Sequence, residues 1–139
     1  MIIAVDFDGT IVEDAFPMIG KPMPFAFSVL RKLANEEHHQ LVLWTVRTGK
    51  YLADAVEYCR NNGVEFYAVN KLYPEEDEKN PRSRKIVADI FIDDRNVGGL
   101  PDWGLIYNMI TKGTNWQNAF EVQNELPPKR RGFFDKMFG

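Results

Sequence analysis

Four short apolar runs, Ile2 to Val5, Leu41 to Trp44, Phe66 to Val69 and Ile90 to Ile92, alternate with helix-like segments along the chain. Each run is continuous rather than alternating, as expected of strands covered on both faces. Strands separated by helical segments build a parallel sheet covered by helices, so the expected class is α/β. At 139 residues the chain fits one domain. Its 45% hydrophobic and 27% charged residues exclude disorder along the whole length.

The intervening segments carry helical spacing. Between the first two runs, from about Pro24 to Glu37, the residues Ala26, Val29, Leu30 and Leu33 share one face, and Pro24 suits a first helical turn. Between the next two, Leu52, Ala55, Val56 and Cys59 repeat at i, i+3, i+4 and i+7, with Thr48 placed to cap the helix and Gly63 to stop it. A third helix is expected after Asp102, with Trp103, Ile106 and Ile110 facing inward and Gly113 at its end. Glu13 to Met23 contains Pro17, Gly20 and Pro22 and reads as a flap after the first strand. Tyr73 to Arg84, with the acidic run Glu75 to Glu78, reads as a solvated loop.

Seventeen basic against twenty acidic residues leave a net charge of −3. That balance makes no case for nucleic acid or an anionic membrane as partner, since both require concentrated positive charge. The single Cys59 cannot form an intramolecular disulfide, and with the adjacent His38 and His39 it does not make a zinc site. Ile2 to Val5 is too short for a signal sequence or a membrane span, so the expected location is the cytoplasm.

Chemistry concentrates where the apolar runs end. The first runs into Asp6-Phe7-Asp8-Gly9-Thr10, the fourth into Asp93-Asp94. Open parallel sheets bind ligands at the carboxyl ends of their strands. Close carboxylates there call for a cation or a shared proton, which points to Mg²⁺ or to a division of acid and base roles. The second run ends in Trp44-Thr45-Val46-Arg47-Thr48, where a hydroxyl and backbone N–H groups opening the next helix can hold phosphate oxygens. Arg47 can make a bidentate phosphate contact or pair with an acidic loop. Lys85, just before the fourth run, can reach the carboxylates.

Taken in order, Asp-Phe-Asp-Gly-Thr, a strand ending in Thr, a Lys and Ile-Asp-Asp resemble the haloacid dehalogenase-like superfamily of phosphohydrolases, over about two-thirds of the chain from Asp6 to Asp94. The nearest likeness is to small capless bacterial members. The resemblance implies a three-layer, doubly wound, Rossmann-like parallel sheet. In it Asp6 would be the nucleophile that forms an aspartyl-phosphate, and Asp8 the general acid and then base. Mg²⁺ would be held by Asp6, the backbone carbonyl of Asp8, and Asp94, with Asp93 supporting from behind. Thr45, Val46, Arg47 and Lys85 would contact the phosphoryl group.

Asp8 favours phosphoester hydrolysis or phosphoryl transfer between alcohols, because family dehalogenases lack that acid and the related ion pumps carry Thr there. Arg47 departs from the small residues common after that Thr and suggests an added phosphate contact. A further acid after Asp94 is missing until Asp102. No cap fits between Thr10 and Thr45 or between Thr45 and Lys85, since a helix and a strand use most of each interval. The expected organisation is a catalytic domain over 1–126 and a basic, aromatic tail over 127–139. That tail carries Lys129 to Arg131, Phe133, Phe134 and Phe138 and reads as a frayed terminus, with docking on a neighbouring subunit or an anionic partner as the alternative. The expected activity is a Mg²⁺-dependent phosphatase on a phosphorylated substrate that the residues do not identify. Two alternatives are a receiver-type phospho-acceptor, disfavoured because Asn70 and Lys71 follow the third run, and a binding protein without turnover.

Overall fold

The computed structural model describes residues 1–71, 74 and 87–113. The acidic run at 75–78, Lys85, the expected boundary at 126/127 and the tail at 127–139 lie outside the described residues. The chain divides into two compact units, Met1–Trp103 and Gly104–Gly139.

Within the first unit, strand β1 (Ile2–Val5) lies between β2 (Gln40–Leu43) and β4 (Ile90–Ile92), and β3 (Ala68–Val69) flanks β2. All these pairings are parallel, so the described strands form one sheet in the order β3-β2-β1-β4. Neighbouring residues of a strand point to opposite faces. Ile3, Ala4 and Val5 are nevertheless all buried, as are Leu41, Val42 and Leu43. Both faces of these inner strands are therefore covered, as the unbroken apolar runs require. The third run is shorter than expected: Tyr67 donates from its N–H to the Leu41 carbonyl, but ladder pairing spans only Ala68 and Val69.

Helix α1 (Ala26–Asn35) buries Ala26, Phe27, Val29, Leu30 and Leu33, the face expected from the spacing. Helix α2 (Gly49–Asn61) buries Ala55 and Cys59, with Leu52 and Val56 half-buried. Burial pushes the Cys59 thiol up to about 12, so it is an inert core group. Thr48 stands at the N-cap with an extended backbone, but its hydroxyl makes no capping hydrogen bond. The carboxyl end of α2 is built as expected. Val64 donates to the Cys59 carbonyl and Gly63 to the Arg60 carbonyl, the paired bonds of a Schellman ending. Gly63 supplies the left-handed φ of 82° that this ending needs.

Helix α3 (Trp103–Lys112) begins with the last residue of the first unit and continues in the second, and Gly113 follows it with φ 64°. Trp103, Ile106 and Ile110 are buried, as the sequence led us to expect. No helix among the described residues is long and apolar enough to cross a membrane.

Gly63→Ala is expected to lower stability by about 1–2 kcal/mol, the cost of a left-handed non-glycine residue. A Cβ there would also press on the Arg31 side chain at 2.9 Å. Urea unfolding monitored by circular dichroism measures the loss.

Candidate active site

The strand order reverses at β1: β2 and β3 extend to one side, and the chain then returns to place β4 on the other. In such sheets the crevice lies outside the carboxyl ends of the strands flanking the reversal. Asp6 follows β1 and Asp93 and Asp94 follow β4, so the topology brings the two acidic clusters together. The Asp6 N–H donates to the Ile92 carbonyl at 3.0 Å, which extends the ladder up to the first carboxylate. Asp6, Asp93 and Asp94 each offer an oxygen within 4.8 Å of the others. Among the described residues this is the cluster of His, Cys, Asp or Glu able to hold a metal ion.

Thr10 ties the clusters together. Its fully buried hydroxyl lies 3.3 Å from Asp6 Oδ2 and 3.3 Å from Asp94 Oδ1 and accepts the Asp94 N–H at 3.0 Å. One hydroxyl proton thus serves two carboxylates. The Thr10 carbonyl accepts the indole N–H of Trp103 at 3.0 Å. Gly9 turns the chain with φ 81°, and a Cβ there would overlap the Asp94 carboxylate. The Asp-Gly step is therefore needed for close approach as well as for the turn.

This crowding has an electrostatic cost. Burial raises the Asp6 carboxyl from 3.8 to about 7, the Asp93 charge adds to it, and Asp94 contributes through a hydrogen bond and its charge. The Phe7 N–H pulls the other way, by more than either Asp94 contribution. A cation would relieve this repulsion, and three hard oxygen donors fit Mg²⁺. Asp93 lies in the cluster with Asp6 and Asp94, and its Oδ1 accepts the Arg95 N–H at 2.9 Å.

Asp8 is turned to a different partner. Its two oxygens accept from Arg47 Nε and Nη2, both at 2.7 Å. The same guanidinium donates to the carbonyls of Pro17 and Met18 in the flap and of Tyr51 in α2. All five of its N–H groups are thereby used. Arg47 therefore pairs with an acid, but that acid is Asp8, and it has no N–H left over for a phosphate in this arrangement. Its carbon Cζ lies 5.0 Å from the Phe7 ring centroid and 5.1 Å from that of Phe16.

At the end of β2 the Thr45 N–H donates to Asn70 Oδ1 at 2.8 Å, and Thr45 Oγ1 accepts the Arg47 N–H at 3.2 Å. The Val46 side chain is exposed. Asn70, in a left-handed conformation with φ 54°, holds its place through its own N–H to the Leu43 carbonyl. The roles of Asn70 and Thr10 escaped the sequence reading. Their signal was position: each is a polar residue just past an apolar strand, on the edge where the carboxylates gather.

The sheet and its acidic edge define a parallel α/β protein with a carboxylate cluster at the topological reversal. No protein-family model and no curated protein matches the chain. Among solved structures it is similar to a conserved protein of Bacteroides thetaiotaomicron, with 56% sequence identity, a TM-score of 0.78, and coverage of 84% of this chain and 94% of that one. At that identity and coverage this chain belongs to the same family as that protein.

The Asp6 shift predicts the pH dependence of the metal-free protein. The folded state keeps a proton that the unfolded chain has released, so stability falls as pH rises from about 4 to 7 and levels above. In a chelating buffer, Asp6→Asn should remove this fall and raise stability at pH 8 by about 1–2 kcal/mol, the full shift being reduced by solvent access. Thermal melts at pH 5 and pH 8 measure the difference. An equal melting gain at both pH values would contradict the shift.

Proposed function

We propose that this protein is a capless haloacid dehalogenase-like phosphohydrolase, a Mg²⁺-dependent phosphomonoesterase acting through an aspartyl-phosphate. The observation that carries the reading is the convergence of Asp6, Asp93 and Asp94 beside a separately held Asp8. It is supported by the order of the motifs and by the parallel sheet with its reversal at β1.

Asp6, Asp94 and the backbone carbonyl of Asp8 would hold the ion, with Asp93 close enough to take part. Bound Mg²⁺ would offset the charge of the carboxylates and of the phosphoryl oxygens. Asp6 in its ionised form attacks phosphorus, and the bond from phosphorus to the leaving alcohol oxygen breaks. Asp8, turned away from Arg47 and carrying a proton, gives that proton to the oxygen. Water then attacks the aspartyl-phosphate and passes its proton to Asp8. Inorganic phosphate leaves, and both carboxyl groups return to their starting forms. Thr45 stands at the adjacent strand end, with its N–H already committed to Asn70, and offers its hydroxyl to the phosphoryl group.

A receiver-type phospho-acceptor would carry its acceptor Asp after β3. Asn70 stands there, with its carboxamide engaged by Thr45.

Turnover of p-nitrophenyl phosphate with Mg²⁺, and its loss on chelation, tests the reading. Asp6→Asn should abolish both turnover and phosphoenzyme. Asp8→Asn should release one burst of nitrophenol and then stall, with steady turnover down about 10²–10⁴-fold. Wild-type rates in Asp6→Asn would refute the nucleophile. Calorimetric titration should show Mg²⁺ binding weakened more by Asp94→Ala than by Asp93→Ala, and the reverse ranking would exchange their roles.

A further inference from the structure

Arg47 is the largest fully buried side chain among the described residues, with a relative exposure of 1%. A buried guanidinium is tolerated only when its charge is paired and its N–H groups are met. Here the charge is met by Asp8, and the remaining donors by main-chain carbonyls of two other segments. Asp8 belongs to the turn after β1, Pro17 and Met18 to the flap, and Tyr51 to the first turn of α2. Three segments distant in sequence therefore share one side chain.

The flap has few other ties. Glu13 donates to the Lys21 carbonyl and Met23 to the Ile11 carbonyl at its base. Its tip, from Asp14 to Met18, is exposed. At that tip Phe16 meets the Tyr51 ring edge-on at 5.8 Å and lies against the Arg47 guanidinium. The contacts holding the flap tip down thus converge on Arg47 and its neighbour Tyr51. The same guanidinium occupies both oxygens of Asp8. Moving the tip withdraws two carbonyls from a buried cation, and turning Asp8 away withdraws its counter-charge. Opening the tip also lets water reach the guanidinium and weaken its hold on Asp8, and losing Asp8 removes the counter-charge that keeps the cation buried under the tip, so each change favours the other.

We infer that Arg47 is a positioning residue that couples the flap tip to the orientation of the Asp8 carboxylate. The inference rests on the phosphatase reading for its catalytic consequence: Asp8 reaches the leaving-group oxygen in step with movement of residues 17 and 18. A lysine at 47 keeps the charge but cannot span both Asp8 oxygens and the three carbonyls.

Two measurements on the full chain test this, one independent of activity. In hydrogen exchange, Asp8→Asn should speed exchange of amides in 13–23 at least tenfold, with the amides of β1 and β2 unchanged. Unchanged flap exchange would overturn the coupling. In single-turnover kinetics with Mg²⁺, Arg47→Lys should keep the first release of nitrophenol within about twofold of the wild-type rate, because that leaving group needs no acid. It should lower turnover of an alkyl phosphate at least tenfold. Equal losses on both substrates would overturn the positioning role and leave Arg47 a structural clamp. If the wild type releases no nitrophenol while Asp8→Asn loosens the flap, the phosphatase reading falls and the coupling stands.

Discussion

Burial of β1 on both faces is the constraint from which the rest of the structure follows. Ile3, Ala4 and Val5 leave no place in the strand where a polar side chain could reach water. A carboxylate can therefore stand only beyond the end of the strand, and Asp6 is the first residue past it. The neighbours β2 and β4 run parallel to it, so their polar continuations emerge on the same edge, although β4 leaves Phe91 exposed on one face. Acidic and hydroxyl groups from separate parts of the chain gather at one crevice because the interior of the sheet excludes them.

What gathers there is unstable by itself. Asp6 shares a small volume with Asp93 and Asp94, and the described hydrogen bonds soften the repulsion without removing it. Thr10 has a single proton to give to two carboxylates. The crowding raises the Asp6 carboxyl well above the usual carboxylate range. Gly9 permits that crowding by leaving room where a side chain would overlap Asp94.

Asp8, two residues from Asp6, is held in a different environment. It has a dedicated cation in Arg47, with a side chain only 13% exposed on its own account and 0% on that of its partner. Two carboxylates so close in sequence are thus given opposite surroundings, one crowded by like charge and one matched by an opposite charge. The buried guanidinium also recruits main-chain carbonyls from the flap and from α2, so the surroundings of Asp8 depend on segments that carry no chemistry themselves.

The strands, the helices and the acidic strand ends were legible in the sequence because each is a local pattern. Unbroken apolar runs mark strands buried on both faces, i, i+3, i+4 spacing marks a buried helical face, and Gly63 marks the end of α2. Asp6 and the pair Asp93 and Asp94 could be placed on one edge from strand direction alone. The partner of Arg47 could not be read in this way. Its sequence neighbourhood allowed a phosphate or an acidic loop, and the choice went to Asp8, 39 positions away, because the fold brings that carboxylate within 2.7 Å. The pairing of Thr45 with Asn70, the role of Thr10 and the entry of Asp93 into the cluster were settled in the same manner. By itself the sequence determined which residues must leave the core and at which edge. Only the tertiary structure decided which of them meet, because a polar group released from the core takes the partner that three-dimensional proximity supplies.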